Sequence, residues 1–284
     1  MTHFLHPVAP KPTKDIHAGA CRADRRRLLG GLASGTMSLA GALLLPRSLL
    51  ARPRPAEERA LVMVVASIHR RLATTKSYTF DDLYGAVARF RPDAVGVEIR
   101  QEDLDRGQPY LTSNYPPEMI ALAAQYGPRT FGFDWLGDEL AGAAIPTDWW
   151  SKESPIKQLE RSFDDRALPN DAHHRRLEAA LDRLSSEQDR LLASATVRNL
   201  VDGRYDRVTG HYYATLRALV AGTRFDALAR YYERRDAMIA RNVLSEATRR
   251  RGQRVAIVTG GDHHGPVVRL LAANAGTVRL MPIA

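Results

Sequence analysis

Cysteine is nearly absent from this chain: its 284 residues include one, Cys21. It lies in the N-terminal segment, so residues 57–284 can form no disulfide and offer no thiolate to a metal. A domain of that length buries enough core to fold without such cross-links. Nucleotide-binding glycine patterns are missing too. Gly260-Gly261 belongs to no Gly-x-Gly-x-x-Gly fingerprint and no Walker-type loop is present. An Asp-x-Asp pair after an early strand is also lacking, which excludes the phosphoesterases that share an Asp-His-His triplet. Finally, the body of the chain has little excess charge. Of 41 Lys and Arg and 32 Asp and Glu, residues 1–56 hold nine basic and two acidic, leaving 32 against 30 in residues 57–284. The formal +9 is therefore an N-terminal property, and a nucleic-acid footprint is excluded for the body.

The N-terminal segment has a different character. Asp24-Arg25-Arg26-Arg27-Leu28-Leu29 precedes a weakly hydrophobic, Gly- and Ala-rich stretch over 30–45. Its 16 residues fall short of the ~20 of a membrane span. Paired arginines before such a stretch fit a twin-arginine export signal. Asp24 stands where Ser or Thr is common, and no clean small-x-small cleavage site follows; cleavage is expected within 51–56. The implied partner is the twin-arginine export machinery. The implied location is periplasmic or otherwise extracytoplasmic, membrane-anchored if the signal stays uncleaved.

Residues 52–60 read as a Pro- and charge-rich linker. The run Leu61-Val62-Met63-Val64-Val65-Ala66 has the continuous apolar character of a strand buried on both faces. Thr79, with Asp81 and Asp82 behind it, predicts a helix start, and Leu83, Val87 and Phe90 keep helical spacing. Ala94-Val95-Gly96-Val97-Glu98 and Thr130-Phe131-Gly132-Phe133-Asp134 predict further strands, with a helix opened by Pro116-Pro117 between them. From about 153 to 250 the pattern is mostly helical, with long helices over 173–192 and 225–250. Val255-Ala256-Ile257-Val258-Thr259 returns to strand, followed by a helix near 266–275 and a last strand at 277–281. This alternation predicts an α/β domain over 57–284: a mostly parallel sheet flanked by helices, with a helical insertion or cap at about 153–250.

In open α/β sheets, ligands sit beyond the carboxyl ends of the strands. There the sequence places Ser67-Ile68-His69, Glu98 with Arg100, Asp134, and Gly260-Gly261-Asp262-His263-His264-Gly265. An ionisable side chain follows each of the first four predicted strands. A carboxylate closing an apolar run, as Glu98 does, is costly unless paired. The glycines around Asp262-His263-His264 let two imidazoles be presented together; alternatively Asp262 caps a helix. Residues 235, 238, 239 and 242 share one helical face, so that Arg235 and Asn242 look into the site together or Arg235 turns outward over packed Met238 and Ile239.

These residues carry a resemblance. Ser67-Ile68-His69 after the first strand, Pro92-Asp93-x-Val-Gly-Val-Glu98, Arg235-Asp236-x-Met238 with Asn242, and Gly260-Gly261-Asp262-His263 together resemble the TraB/PrgY/GumN group. That group includes the Tiki-type metallopeptidases and is related in fold to erythromycin-esterase-like and ChaN-like proteins. The likeness spans roughly 61–135 and 226–281. It departs from the group's pattern at Ala66, where Gly is usual, and at Asp236, where Asn is common. The resemblance implies a site formed by His69, Glu98, Arg235 and His263, with Asp134, Asn242, Asp262 and His264 in support. It implies a hydrolase of peptide or ester bonds in which His69, Glu98 and His263 bind a divalent metal (Mn, Co or Zn) and Arg235 steadies the oxyanion. Two alternatives follow from the same residues. One is a metal-free esterase-like hydrolase with His69 as base oriented by Glu98. The other is an extracytoplasmic haem or ligand binder with its histidines as ligands and Tyr205, Tyr212, Tyr213, Tyr231 and Tyr232 near the pocket.

Overall fold

The computed structural model describes residues 59–150, 154–163, 168–169 and 171–283. The export-type segment and Cys21 lie outside the described residues. No helix among the described residues is long and apolar enough to cross a membrane.

Five strands form one all-parallel sheet: β1 (Ala60–Ser67), β2 (Ala94–Val97), β3 (Thr130–Gly132), β4 (Arg254–Gly260) and β5 (Val278–Leu280), in the spatial order β3-β2-β4-β1-β5. Covering helices bury both faces of the sheet, hence the unbroken apolar runs. On one face Met63, Val65, Val95, Val97, Ala256 and Val258 pack against Leu83, Val87 and Phe90 of α1 (Phe80–Phe90) and Met119 and Leu122 of α3 (Pro117–Tyr126). The opposite face, with Val62, Val64, Val255 and Ile257, packs against α7 (Asp226–Arg249) and α8 (Gly261–Ala273). Helix α1 starts as expected, with Thr79 and Asp82 forming a reciprocal capping box. A short helix that the sequence reading lacked, α2 (Gln108–Asn114), precedes α3.

The helical stretch consists of α4 (Pro155–Phe163), α5 (Ala172–Ala193), α6 (Arg204–Val220) and α7. Phe163, Leu181, Leu216, Leu228 and Tyr232 form its own apolar cluster. The stretch is not set apart from the sheet at residue 250, because α7 belongs to both layers. Its first half, through Leu228, Ala229 and Tyr232, packs on the other helices; its second, through Ile239, Ala240, Val243 and Ala247, packs on the sheet.

Two strands end earlier than expected. Glu98 and Asp134 lie just past β2 and β3, where the chain has left the ladder and their side chains are free to turn over the sheet end. Because β4 lies between β1 and β2, the chain leaves β1 toward one edge and β4 toward the other. The crevice at that reversal lies over the carboxyl ends of β1 and β4.

Two glycines let β2, β3 and the segment after β2 close up. A Cβ on Gly96 would stand 2.7 Å from Phe131 Cζ and 2.8 Å from Ile257 Cδ1, whereas one on Gly132 would stand 2.4 Å from the Ile99 carbonyl and 2.7 Å from the Gln101 amide nitrogen. Side chains can shift; backbone at the site's rim cannot do so without moving Glu98. Gly96→Ala is therefore expected to cost ~1–3 kcal/mol in urea unfolding, as overpacking does, and Gly132→Ala distinctly more. Equal losses would contradict this packing.

Candidate functional site

His69 follows β1 through Ile68 and begins a short 3-10 turn with φ 50°, a left-handed conformation rare for a residue with a side chain. Its backbone N–H donates to Ser67 Oγ at 2.9 Å. Ser67 in turn donates to Glu118 Oε1 at 2.7 Å, and His69 Nδ1 meets the same oxygen at 2.8 Å. Glu118, on the first turn of α3, has no solvent exposure. Burial alone would lower the His69 pKa; the hydrogen bond and charge of Glu118, helped by Glu98 and Asp262, outweigh it and hold the imidazole up at about 9. His69 is thus an imidazolium at neutral pH, with Nδ1–H on Glu118 and Nε2–H over Gly260.

Nε2 comes to rest over Gly260. A Cβ there would lie 2.5 Å from His69 Nε2 and 3.4 Å from Glu98 Oε2, so only glycine permits the approach. Glu98 Oε2 accepts from the Gly260 N–H at 2.6 Å and from Thr259 Oγ1 at 3.0 Å. Burial would raise the Glu98 pKa, but the charges of His263, Arg235 and His69 outweigh it and hold the carboxyl at about 2.

Arg235, near the middle of α7, is buried with 4% of its side chain exposed. Nη2 donates to Asp134 Oδ1 at 2.7 Å and Glu98 Oε1 at 3.1 Å, Nε donates to the Trp135 carbonyl at 3.1 Å, and Nη1 stands 2.9 Å from His263 Nε2. A guanidinium can only donate, so His263 accepts through Nε2 and carries its proton on Nδ1, which faces Asp236 Oδ1 at 2.6 Å. Burial opposes charge on His263, but Glu98 and Asp236 outweigh burial and Arg235 and keep its pKa above the ordinary value. Asp134 is raised above the usual carboxylate range by burial, with the Glu98 charge adding and Arg235 opposing.

The structure therefore brings together His69, Glu98, Asp134, Arg235 and His263. Three other expected residues lie outside the cluster. Asn242 donates to the Phe133 carbonyl at 3.0 Å, so that the α7 face carrying it and Arg235 clamps the chain after β3. His264 diverges from His263, because adjacent helical residues point about 100° apart, and it meets Asp206 at 3.0 Å; the two imidazoles are not presented together. Asp262 lies in the first turn of α8, whose N-cap is Gly260, and accepts from Tyr205 Oη at 2.7 Å. Arg100 is bound to Asp103 and to the carbonyls of Leu140 and Ala143. Sequence reasoning missed Glu118, which looks like an ordinary first-turn acid after Pro116-Pro117, and the role of Asp236, where nothing but its neighbour Arg235 drew attention to the position.

The geometry does not fit the metal expected on His69, Glu98 and His263. Among the described residues no three His, Cys, Asp or Glu side chains are grouped so as to hold an ion. The reason is Arg235: its guanidinium already takes the His263 lone pair and Glu98 Oε1, placing a fixed cation where a metal would need those donors. The tyrosine-lined cleft among the described residues does not fit haem. Tyr205, Tyr212 and Tyr232 are buried packing residues, and the cleft lined by Tyr213 has a volume of about 250 Å³, below the ~300–1,000 Å³ that hold a drug-sized ligand.

Glu118→Gln keeps the shape of the His69 partner and removes its charge. The His69 pKa is expected to fall from about 9 to 6.5 or below, followed by NMR titration of its ring protons; a value still near 9 would contradict the assignment. The sign for stability follows. Because folding raises this pKa, the stabilisation is complete below pH 6.5 and is lost as pH rises through 9. Glu118→Gln should flatten that decline in urea melts.

No family model, curated protein or solved structure matches the chain, so the reading of the site stands on its geometry and on the motif residues themselves.

Proposed function

We propose that the chain is a hydrolase of carboxylic esters that works by general acid–base catalysis through two carboxylate-backed histidines, without a metal. The observation that carries this reading is the opposite hydrogen-bonding role of the two Nε2 atoms. His69, with Nδ1 on Glu118, keeps a proton on Nε2, while His263, with Nδ1 on Asp236, accepts from Arg235 at Nε2. A donor nitrogen and an acceptor nitrogen in one site supply an acid and a base.

In this reading the substrate carbonyl draws the Arg235 Nη1–H away from His263. The same movement frees the Nε2 lone pair to take a proton from the attacking water, and the guanidinium faces the developing oxyanion. His69 then donates its Nε2 proton to the leaving alkoxide. Glu98 stays ionised, fixes Arg235 and offsets the positive charge around it. Ser67 is a poor candidate nucleophile, being 1% exposed with its hydroxyl committed to Glu118. An alkoxide leaves more readily than an amide nitrogen, which favours esters over peptides. The twin-arginine-type segment over 24–45 supports action outside the cytoplasm.

Hydrolysis of alkyl and p-nitrophenyl esters tests this reading. Activity is expected to survive exhaustive chelation and to decline as pH rises through 9, where His69 loses its proton. His263→Ala should lower kcat/KM by ~10²–10⁴ for both ester types. His69→Ala should do so mainly for alkyl esters, because p-nitrophenolate leaves without an acid. Activity abolished by chelator and restored by Mn²⁺, Co²⁺ or Zn²⁺ would replace this reading with the metal-assisted one; absence of esterase activity would end it.

Gly260→Ala tests the positioning. It should displace the His69 ring at a cost below ~2 kcal/mol, because the atom in the way ends a side chain, yet cut alkyl-ester turnover as deeply as His69→Ala. Unaltered turnover would show that the ring's seat over Gly260 is irrelevant to the chemistry.

A further inference from the structure

Helices α6, α7 and α8 enclose the cleft of about 250 Å³, which borders the His69–His263 cluster at Asp236 and Asp262. Its charges are mostly accounted for within the fold. Asp206 is paired with His264, Asp236 with His263, and Glu233 with Arg217. Two side chains of opposite sign have no ion-pair partner among the described residues, Asp262 and Arg269, although the Asp206 carboxyl carbon lies near Arg269 over Gly265. Asp262, half-buried, has hydrogen bonds from the hydroxyls of Tyr205 and Tyr213 and no ion pair among the described residues. Arg269 lines the cleft from the same helix and likewise makes no ion pair among the described residues.

The two are seven residues apart on α8, so they share one stripe of the helix, with Cα atoms about 10 Å apart along the axis. The Arg269 side chain folds back along the helix. A Cβ on Gly265 would stand 3.1 Å from Arg269 Nη1 and 3.2 Å from Asp206 Cβ, so the guanidinium lies over Gly265. The absent side chain at Gly265 leaves room for that fold. With the guanidinium at the level of Gly265, three residues from Asp262, the charged ends stand just under one helical turn apart, about 4.5 Å along the axis.

We infer that this cleft is a binding site for a small zwitterion of the amino-acid type, its ammonium on Asp262 and its carboxylate on Arg269. The two unpaired charges, their spacing along one helix and the size of the enclosed space all select such a ligand. A singly charged ligand of the same length would leave one charge facing the cleft unmatched. In its biological assignment the inference rests on the hydrolase reading and deepens it: the ligand is the zwitterionic part of the ester substrate or of its product. Burial holds the Asp262 pKa above the usual carboxylate range, which is the condition a bound ammonium would relieve.

Calorimetric titration of the chain with 6-aminohexanoate, with hexylamine and hexanoate as single-charge probes, tests the site apart from any turnover. The zwitterion is expected to bind at least ten-fold tighter than either probe. Asp262→Asn, which keeps an acceptor oxygen for Tyr205, should reduce its affinity at least ten-fold. So should Arg269→Gln, an exposed change that leaves folding intact. A zwitterion that binds no tighter than the two probes, or affinity retained in Arg269→Gln, would overturn the inference. Ester hydrolysis without zwitterion binding would sink the cleft assignment and leave the hydrolase reading standing. Binding that needs both charges in a chain without esterase activity would do the reverse.

Discussion

The guanidinium of Arg235 is the element on which the arrangement depends. It is a buried cation in contact with two buried carboxylates, Glu98 and Asp134, and with the lone pair of His263. Each partner comes from a different segment: the ends of β2 and β3 and the first turn of α8. Without the guanidinium, two carboxylates would remain buried and uncompensated, a situation that typically costs ~3–5 kcal/mol. Arg235 also sits at the position where α7 passes from the helical cluster to the sheet, between Tyr232 and Ile239. One side chain thus ties the His69–His263 cluster to the seam between the two layers.

The same residue bears on the chemistries that the sequence left open. Histidines whose Nδ1 atoms rest on carboxylates are arranged as metal-binding imidazoles often are, and equally as general acids and bases. Residue types cannot separate these uses; the location of positive charge can. With the Arg235 fork on His263 and Glu98, the central cation is part of the polypeptide and cannot be lost to solvent or chelator.

Much of the architecture was legible in the sequence. Runs such as Leu61–Ala66, buried on both faces, announced a parallel sheet, and the ionisable residues after the first four strands pointed to its carboxyl end. The capping box at Thr79 and Asp82 was readable because its chemistry is local. What escaped is what depends on distance in space. Glu118 lies 49 residues from His69 and gives no local sign that it is fully buried. The divergence of His263 and His264 follows from helical geometry once α8 begins at Gly261, two residues earlier than a cap by Asp262 would set it. The dual allegiance of α7 was hidden because one continuous 3.6-residue pattern serves two different partners.

The strained backbone at His69 belongs to the same economy of placement. A left-handed residue with a side chain costs on the order of 1–3 kcal/mol, and such conformations persist only where the surroundings over-determine them. Here three contacts do so: Ser67 Oγ on the backbone N–H, Glu118 on Nδ1, and Gly260 beneath Nε2. Ser67 and Gly260 are themselves register partners on adjacent strands, β1 and β4. The ring's position is therefore fixed by the sheet's own register. Aligning the two strand ends sets the distance from the His69 ring to Glu98, and a shift of one residue in that pairing would dismantle the site while leaving the apolar core of an all-buried sheet largely satisfied. The polar cluster, more than the core, specifies which register is native.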